Sequence, residues 1–364
     1  MKTLVFHIGD HKTGTTTIQN ALAAGCVQLS EAELLYPAQL NHNYLMGHIT
    51  ADAAGAPPPK TKGRQLGLEA LAGRIRASDA DYAVISGEVF ENVPAARFRA
   101  IVDRYFRDCA ERIRVVAYVR PHAQRILSSY AEQIKIGWFR GSMQEFYAHN
   151  LERGRFHYAP RFASWREQFG AEFTLRPMIR EELRAGSVLE DFSYVAFDGQ
   201  RAVLHDMPPE NQSLGLRELA LLRFLQGRFQ DKGKWLRHTL GWELARRIGK
   251  LPPPAAAAGP KLQMARGLAD AVAEAYAQDA AEMDQIFFAG RPLLQEALTA
   301  MQARAVPETQ PLDAEAYFSA EELRNLTVMA GLVHDMLEVE HPWAARLHRN
   351  RITDLQAVRQ GETV

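Results

Sequence analysis

Only two cysteines, Cys26 and Cys109, occur in 364 residues, and they stand far apart. So sparse a set excludes a disulfide framework and a cysteine-based zinc site, and it points to a reducing compartment. Surplus charge is missing too, because 43 Lys and Arg balance 43 Asp and Glu. A chain of zero formal net charge lacks the electrostatic footprint of a nucleic-acid binder and any long-range attraction to a membrane. No apolar stretch is long enough to span a bilayer, and the chain opens on a strand-like run instead of a charged segment followed by an apolar one. The expectation is a cytoplasmic protein with no nucleic-acid partner and no transmembrane segment. No internal repeat is visible. What the chain does have is 47% hydrophobic and 24% charged residues, enough for a sizeable core.

The first half reads as strands alternating with helices. "TLVFHI" (3–8), "YAVIS" (82–86) and "RVVAYV" (114–119) are compact apolar runs, and "EFTLRPMI" (172–179) is a weaker one. A helix-like segment from Ala95 to Arg112 separates the second run from the third, and "APRFASWREQFG" reads as an amphipathic helix closing on Gly170. This order predicts βαβ units and a parallel sheet with ligands at the strand C-termini. "APPPK" (56–60) reads as a surface loop and "LPPPAAAAGP" (251–260) as a linker, and from about Leu214 onward the pattern is helical. The expected division is an α/β domain over 1–250, the linker over 251–260, and a helical C-terminal region over 261–364 that packs on or extends the main domain.

"HIGDHKTGTTTIQNAL" (7–22) carries the chemistry. Gly9 and Gly14 stand five apart, as in the nucleotide-binding G-x-x-x-x-G-K-[ST] loop, and Thr16 falls where a Mg²⁺-ligating hydroxyl belongs. No lysine follows the second glycine, however. Thr15 stands there, and the loop's one lysine is Lys12. Strand, glycine turn and helix N-terminus together aim backbone N–H groups and the positive end of a helix at an anion. Phosphoryl transfer also needs an acid to hold its metal, yet "YAVIS" runs into Gly87 and Glu88, and "RVVAYV" ends in Arg120. An arginine at a strand end suits a second phosphate better than a metal.

These residues resemble the sulfotransferases that use 3′-phosphoadenosine 5′-phosphosulfate (PAPS). Their 5′-phosphosulfate loop, K-[TS]-G-[TS]-[TS], stands here as "HKTGTTTIQ" (11–19). Their 3′-phosphate signature is similar to "YVRPHAQRILSSYAEQIKIG" (118–137), where Arg120, Arg125 and Ser128 hold the spacing. "ENQSLGLRELALLRFL" (210–225) resembles the N-x-S-L segment of bacterial relatives, and "QDAAEMDQIFF" (278–288) their closing helix. The resemblance implies a P-loop-type three-layer α/β fold, a central parallel sheet flanked by helices, with a helical C-terminal extension. It implies PAPS as donor, 3′-phosphoadenosine 5′-phosphate (PAP) as product and no metal. His11, Lys12, Thr13, Gly14, Thr15, Thr16 and Thr17 would cradle the 5′ end, Lys12 stabilising the leaving group, while Arg120 and Ser128 grip the 3′-phosphate. Glu88 is the first choice for the base, with His48 and His42 as alternatives.

The bland readings are a core role for His7 and a plain loop role for His11, packing for Tyr158 and Trp165, and a surface pair or turn cap for Glu88. The acceptor, a small molecule or glycan, is expected among residues 36–66, 137–160 and part of the helical region, and the C-terminal helices are candidates for a homo-oligomer contact. Two other functions compete. One is a Mg-dependent P-loop kinase or NTPase; the other is a non-catalytic anion-binding scaffold.

Overall fold

A computed structural model describes residues 1–205, 214–251, 259–338 and 343–360. Its strands are β1 (Thr3–His7), β2 (Val27–Leu29), β3 (Leu34–Leu35), β4 (Tyr82–Ser86), β5 (Arg112–Val119), β6 (Phe173–Pro177) and β7 (Ala202–Leu204). The helices of the α/β part are α1 (Thr15–Ala23), α2 (Leu45–Ala53), α3 (Leu68–Arg76), α4 (Ala95–Ile101), α5 (His122–Lys135), α6 (Met143–Glu152), α7 (Ala159–Phe169) and α8 (Val188–Ala196). Those that follow are α9 (Leu216–Gly227), α10 (Lys234–Lys250), α11 (Arg266–Phe287), α12 (Leu293–Arg304), α13 (Ala320–Met336) and α14 (Trp343–Arg359).

Five strands form one parallel sheet in the order β3-β4-β1-β5-β6. All five residues of β1 and of β4 are buried, as a strand covered on both faces requires. Leu4, Phe6, Ile85, Val115 and Ala117 point to one side, into a core shared with α2, α3, α4, α5 and α7. Val5, Val84, Val116 and Tyr118 point to the other, against Ile18, Ala21 and Leu22 of α1 and Phe192 and Ala196 of α8. The expected three-layer α/β fold is therefore present, with its helical C-terminal region. Met264, Leu268, Val272, Tyr276 and Met283, on and just before α11, and Leu294 and Leu298 of α12 are buried in the first of these two cores.

Three local differences separate structure from sequence reading. The segment 95–112 is not one helix: α4 ends at Ile101, a π-turn spans Val102–Phe106, and β5 starts at Arg112. β3 adds an edge strand. β2 and β7 pair antiparallel in a separate small sheet. The N-x-S part of the 210–225 segment and most of the 251–260 linker lie outside the described residues. Among the described residues no helix is long and apolar enough to cross a membrane.

Candidate functional site

β1 ends at His7, and the chain turns into α1 through three left-handed residues, Gly9 (φ 71°), Lys12 (φ 66°) and Gly14 (φ 78°). A Cβ on Gly9 would stand 2.7 Å from Glu88 Cα, and one on Gly14 2.8 Å from Val188 Cγ1, so both positions demand glycine for space as well as for φ. Lys12 adopts a conformation that costs a non-glycine residue about 1 kcal/mol or more, a strain typical of loops that hold a ligand. Gly14 is the N-cap of α1, whose first internal bond runs from Ile18 N–H to the Gly14 carbonyl. The amides of Thr15, Thr16 and Thr17 precede that bond and are the helix's anion donors.

The threonine hydroxyls divide by position. Thr13 Oγ1 donates to the Asp10 carbonyl at 2.6 Å and Thr15 Oγ1 to the same oxygen at 3.1 Å, so these two shape the loop from inside. Thr16 is half-buried and its hydroxyl makes no hydrogen bond among the described residues; Thr17 is exposed.

Beneath the loop lies a buried ionic lattice. Arg125 of α5, 2% exposed, stands 3.3 Å from Asp10 Oδ1 and 3.2 Å from Glu91 Oε2. Arg161 donates to Asp10 Oδ2 at 2.8 Å, and Arg155 approaches Glu91 at 3.6 Å. The His11 amide donates to both carboxylates, and His11 Nδ1 stands 2.8 Å from Glu91 Oε1. Burial pushes the Asp10 carboxyl up, but Arg125 and Arg161 outweigh it and hold the group below its ordinary value. The cluster Asp10, His11 and Glu91 has the spacing of metal ligands. Three arginines already face its two carboxylates, so their negative charge is more than matched within the protein. His11, read from sequence as a cofactor contact, and Arg125, part of the 3′-phosphate signature, both face the carboxylates of this lattice.

Arg120 is different. β5 neighbours β1, and Ile8 N–H donates to the Val116 carbonyl, so the C-terminal end of β5 stands beside the loop. Arg120 follows directly, half-buried, and has no ion-pair partner among the described residues. Burial, with Arg125 adding repulsion, pushes its guanidinium down to about 10. A desolvated cation without a counter-ion among the described residues is a candidate partner for an external anion. Ser128, eight residues on along α5, has a hydroxyl with no hydrogen bond among the described residues.

Lys12 points to a residue the sequence reading missed. Its Nζ lies 2.7 Å from Glu132 Oε2, one turn beyond Ser128 on α5, and the same oxygen takes Lys135 Nζ at 2.6 Å. Burial pushes the Glu132 carboxyl up, but the two ammoniums prevail and lower it to about 2. In sequence Glu132 and Lys135 look like a solvated helix pair; only the spacing Arg125, Ser128, Glu132, which repeats on one helical face, hinted at more.

Glu88 sits directly after β4, its backbone against Gly9, and its carboxylate makes no hydrogen bond or ion pair among the described residues. His48 is buried on α2, packed near Gly67 and Tyr44, with no hydrogen bond to the loop. His42 is fully buried, its Nδ1 accepting from Ser86 N–H, and burial lowers it to about 3. His7, fully buried behind the loop, is lowered to about 3 for the same reason and bonds to Ser86 Oγ. Tyr158 and Trp165 are core residues, Tyr158 Oη donating to the Arg120 carbonyl at 3.0 Å.

No protein-family profile and no curated protein matches the chain. Among solved structures, a sulfotransferase from Alicyclobacillus acidocaldarius aligns over 79% of this chain and 96% of its own, at 13% identity and a TM-score of 0.41.

Proposed function

We propose that the chain is a PAPS-dependent sulfotransferase that moves a sulfuryl group to a hydroxyl or amine of a carbohydrate acceptor. The observation that carries the proposal is Arg120, a half-buried guanidinium without a counter-ion among the described residues, set beside a loop whose helix N-terminus offers a first anion site. Two anion sites side by side fit a nucleotide phosphorylated at both its 3′ and 5′ ends. A metal-dependent kinase is less well supported, since Asp10 and Glu91, the two carboxylates beside the loop with metal-ligand spacing, are claimed by arginines.

Bound PAPS supplies an activated sulfuryl group and a phosphate leaving group. The Thr15, Thr16 and Thr17 amides would hold the 5′-phosphate, and Arg120 with Ser128 the 3′-phosphate. Lys12 would stabilise charge on the departing oxygen, and Glu88, whose carboxylate makes no hydrogen bond or ion pair among the described residues, would take the acceptor proton as the new S–O bond forms. Glu132 is the poorer base, because two ammoniums hold its carboxyl far below the usual range.

Calorimetric titration of metal-free protein with PAP and with ADP tests the reading. PAP should bind without Mg²⁺ and ADP, lacking the 3′-phosphate, more weakly. Binding of ADP that requires Mg²⁺, or no binding of PAP, overturns it. Lys12→Ala should lower sulfuryl turnover by about 10²-fold or more while PAP still binds.

A further inference from the structure

Glu132 bridges two lysines that differ in how they are held. A single oxygen, Oε2, serves both ammoniums, and Oε1 makes no hydrogen bond among the described residues. Lys135 is fixed to the scaffold. Its ammonium lies 3.7 Å from the centre of the Trp242 ring, its carbonyl accepts from Gln226 Nε2 at 2.9 Å, and a Cβ on Gly241 of α10 would strike that carbonyl. Lys12 instead stands on the left-handed turn of the loop and reaches across to α5.

We infer that Glu132 is an internal counter-ion that takes, at Lys12, the place a sulfonate would occupy, and that it retreats onto Lys135 when such a ligand arrives. This rests on the PAPS reading of the site. The exchange is chemically balanced: the ligand's sulfonate replaces one carboxylate contact of Lys12, and Glu132 keeps the other ammonium, so no buried charge is left alone. Glu132 thereby opposes binding of the sulfonate end and leaves the 3′-phosphate end untouched. It is a positioning residue, acting on the reaction through Lys12.

Two ligands separate its effect from general support of the fold. PAPS reaches Lys12; adenosine 3′-phosphate occupies the Arg120 side and carries nothing to the loop. In Glu132→Gln the affinity for PAPS should rise about tenfold, the scale of one charge-assisted contact, with adenosine 3′-phosphate unchanged. Calorimetry on wild type and variant reads both. If wild type binds both ligands and the variant shifts neither, or shifts both together, Glu132 is scaffold only and the inference is overturned while the cofactor reading stands. If wild type binds neither ligand, both fall. Should Glu132→Gln not fold, Glu132→Asp serves: one methylene shorter, it cannot span both lysines, and it should favour PAPS in the same sense by a smaller factor.

Discussion

Arg120 illustrates how much one side chain conveys when its partners are counted. Among the described residues it lacks a carboxylate, although Arg125, five positions on, is held by two. Arg120→Ala should therefore cost little stability and weaken PAP by about 30-fold or more, the value of a desolvated charge-assisted contact, as calorimetry would show. In sequence both arginines belong to the 3′-phosphate signature, and only the strand-end position favours Arg120. Their roles differ because Asp10 and Glu91, which claim Arg125, are brought to it from distant parts of the chain. Glu132 was illegible for the same reason: Lys12 lies 120 residues away, whereas Lys135 lies three away and gives the look of an ordinary surface pair. Thr15 shows the converse. Its place in the motif was plain, yet its hydroxyl goes to the Asp10 carbonyl and only its amide is left for a ligand.

At the scale of elements, the loop, the turn after β4 and α5 are locked together by Arg125. Truncating a buried partner strands the others, so Arg125→Ala should lower unfolding free energy by about 3–5 kcal/mol in urea titration. A loss below 1 kcal/mol would mean that Arg155 and Arg161 suffice to balance Asp10 and Glu91. β1, β4 and most of β5 were readable because each is a continuous apolar run buried on both faces, whereas β6 alternates and read more weakly. β3 has two residues and β2 and β7 three each, all partly exposed, too short for periodicity to register. The segment 95–112 misled because its apolar spacing persists through the π-turn, where the helical hydrogen bonding changes without any proline or glycine to mark it.

For the whole molecule, burial of neutral histidines sets an acid limit. His7 and His42 are lowered to about 3, whereas in the unfolded chain they titrate near 6.5. Below that pH the unfolded state gains protons the folded one refuses. Stability should fall by up to about 1.4 kcal/mol per pH unit for each histidine as pH drops from 6.5 toward 3. The carboxylates of Asp10 and Glu132, lowered in the fold, add to the loss once the pH falls below about 4.5, the ordinary carboxylate range. A urea midpoint that stays flat between pH 7 and pH 5 would contradict this. A fragment of residues 1–250 should not fold cooperatively, since Val272, Tyr276 and Met283 complete the core over α5 and α7; a sharp thermal transition in that fragment would refute it. The clasp itself is one carboxylate. Asp279 of α11 meets His122 Nε2 at the start of α5 and accepts the Tyr158 and Ala159 amides that open α7. His122 and Asp279 are 157 residues apart, roughly 8–30 s of synthesis at cellular rates. For that interval the starts of α5 and α7 lack the carboxylate that joins them, so this part of the fold can close only late in synthesis.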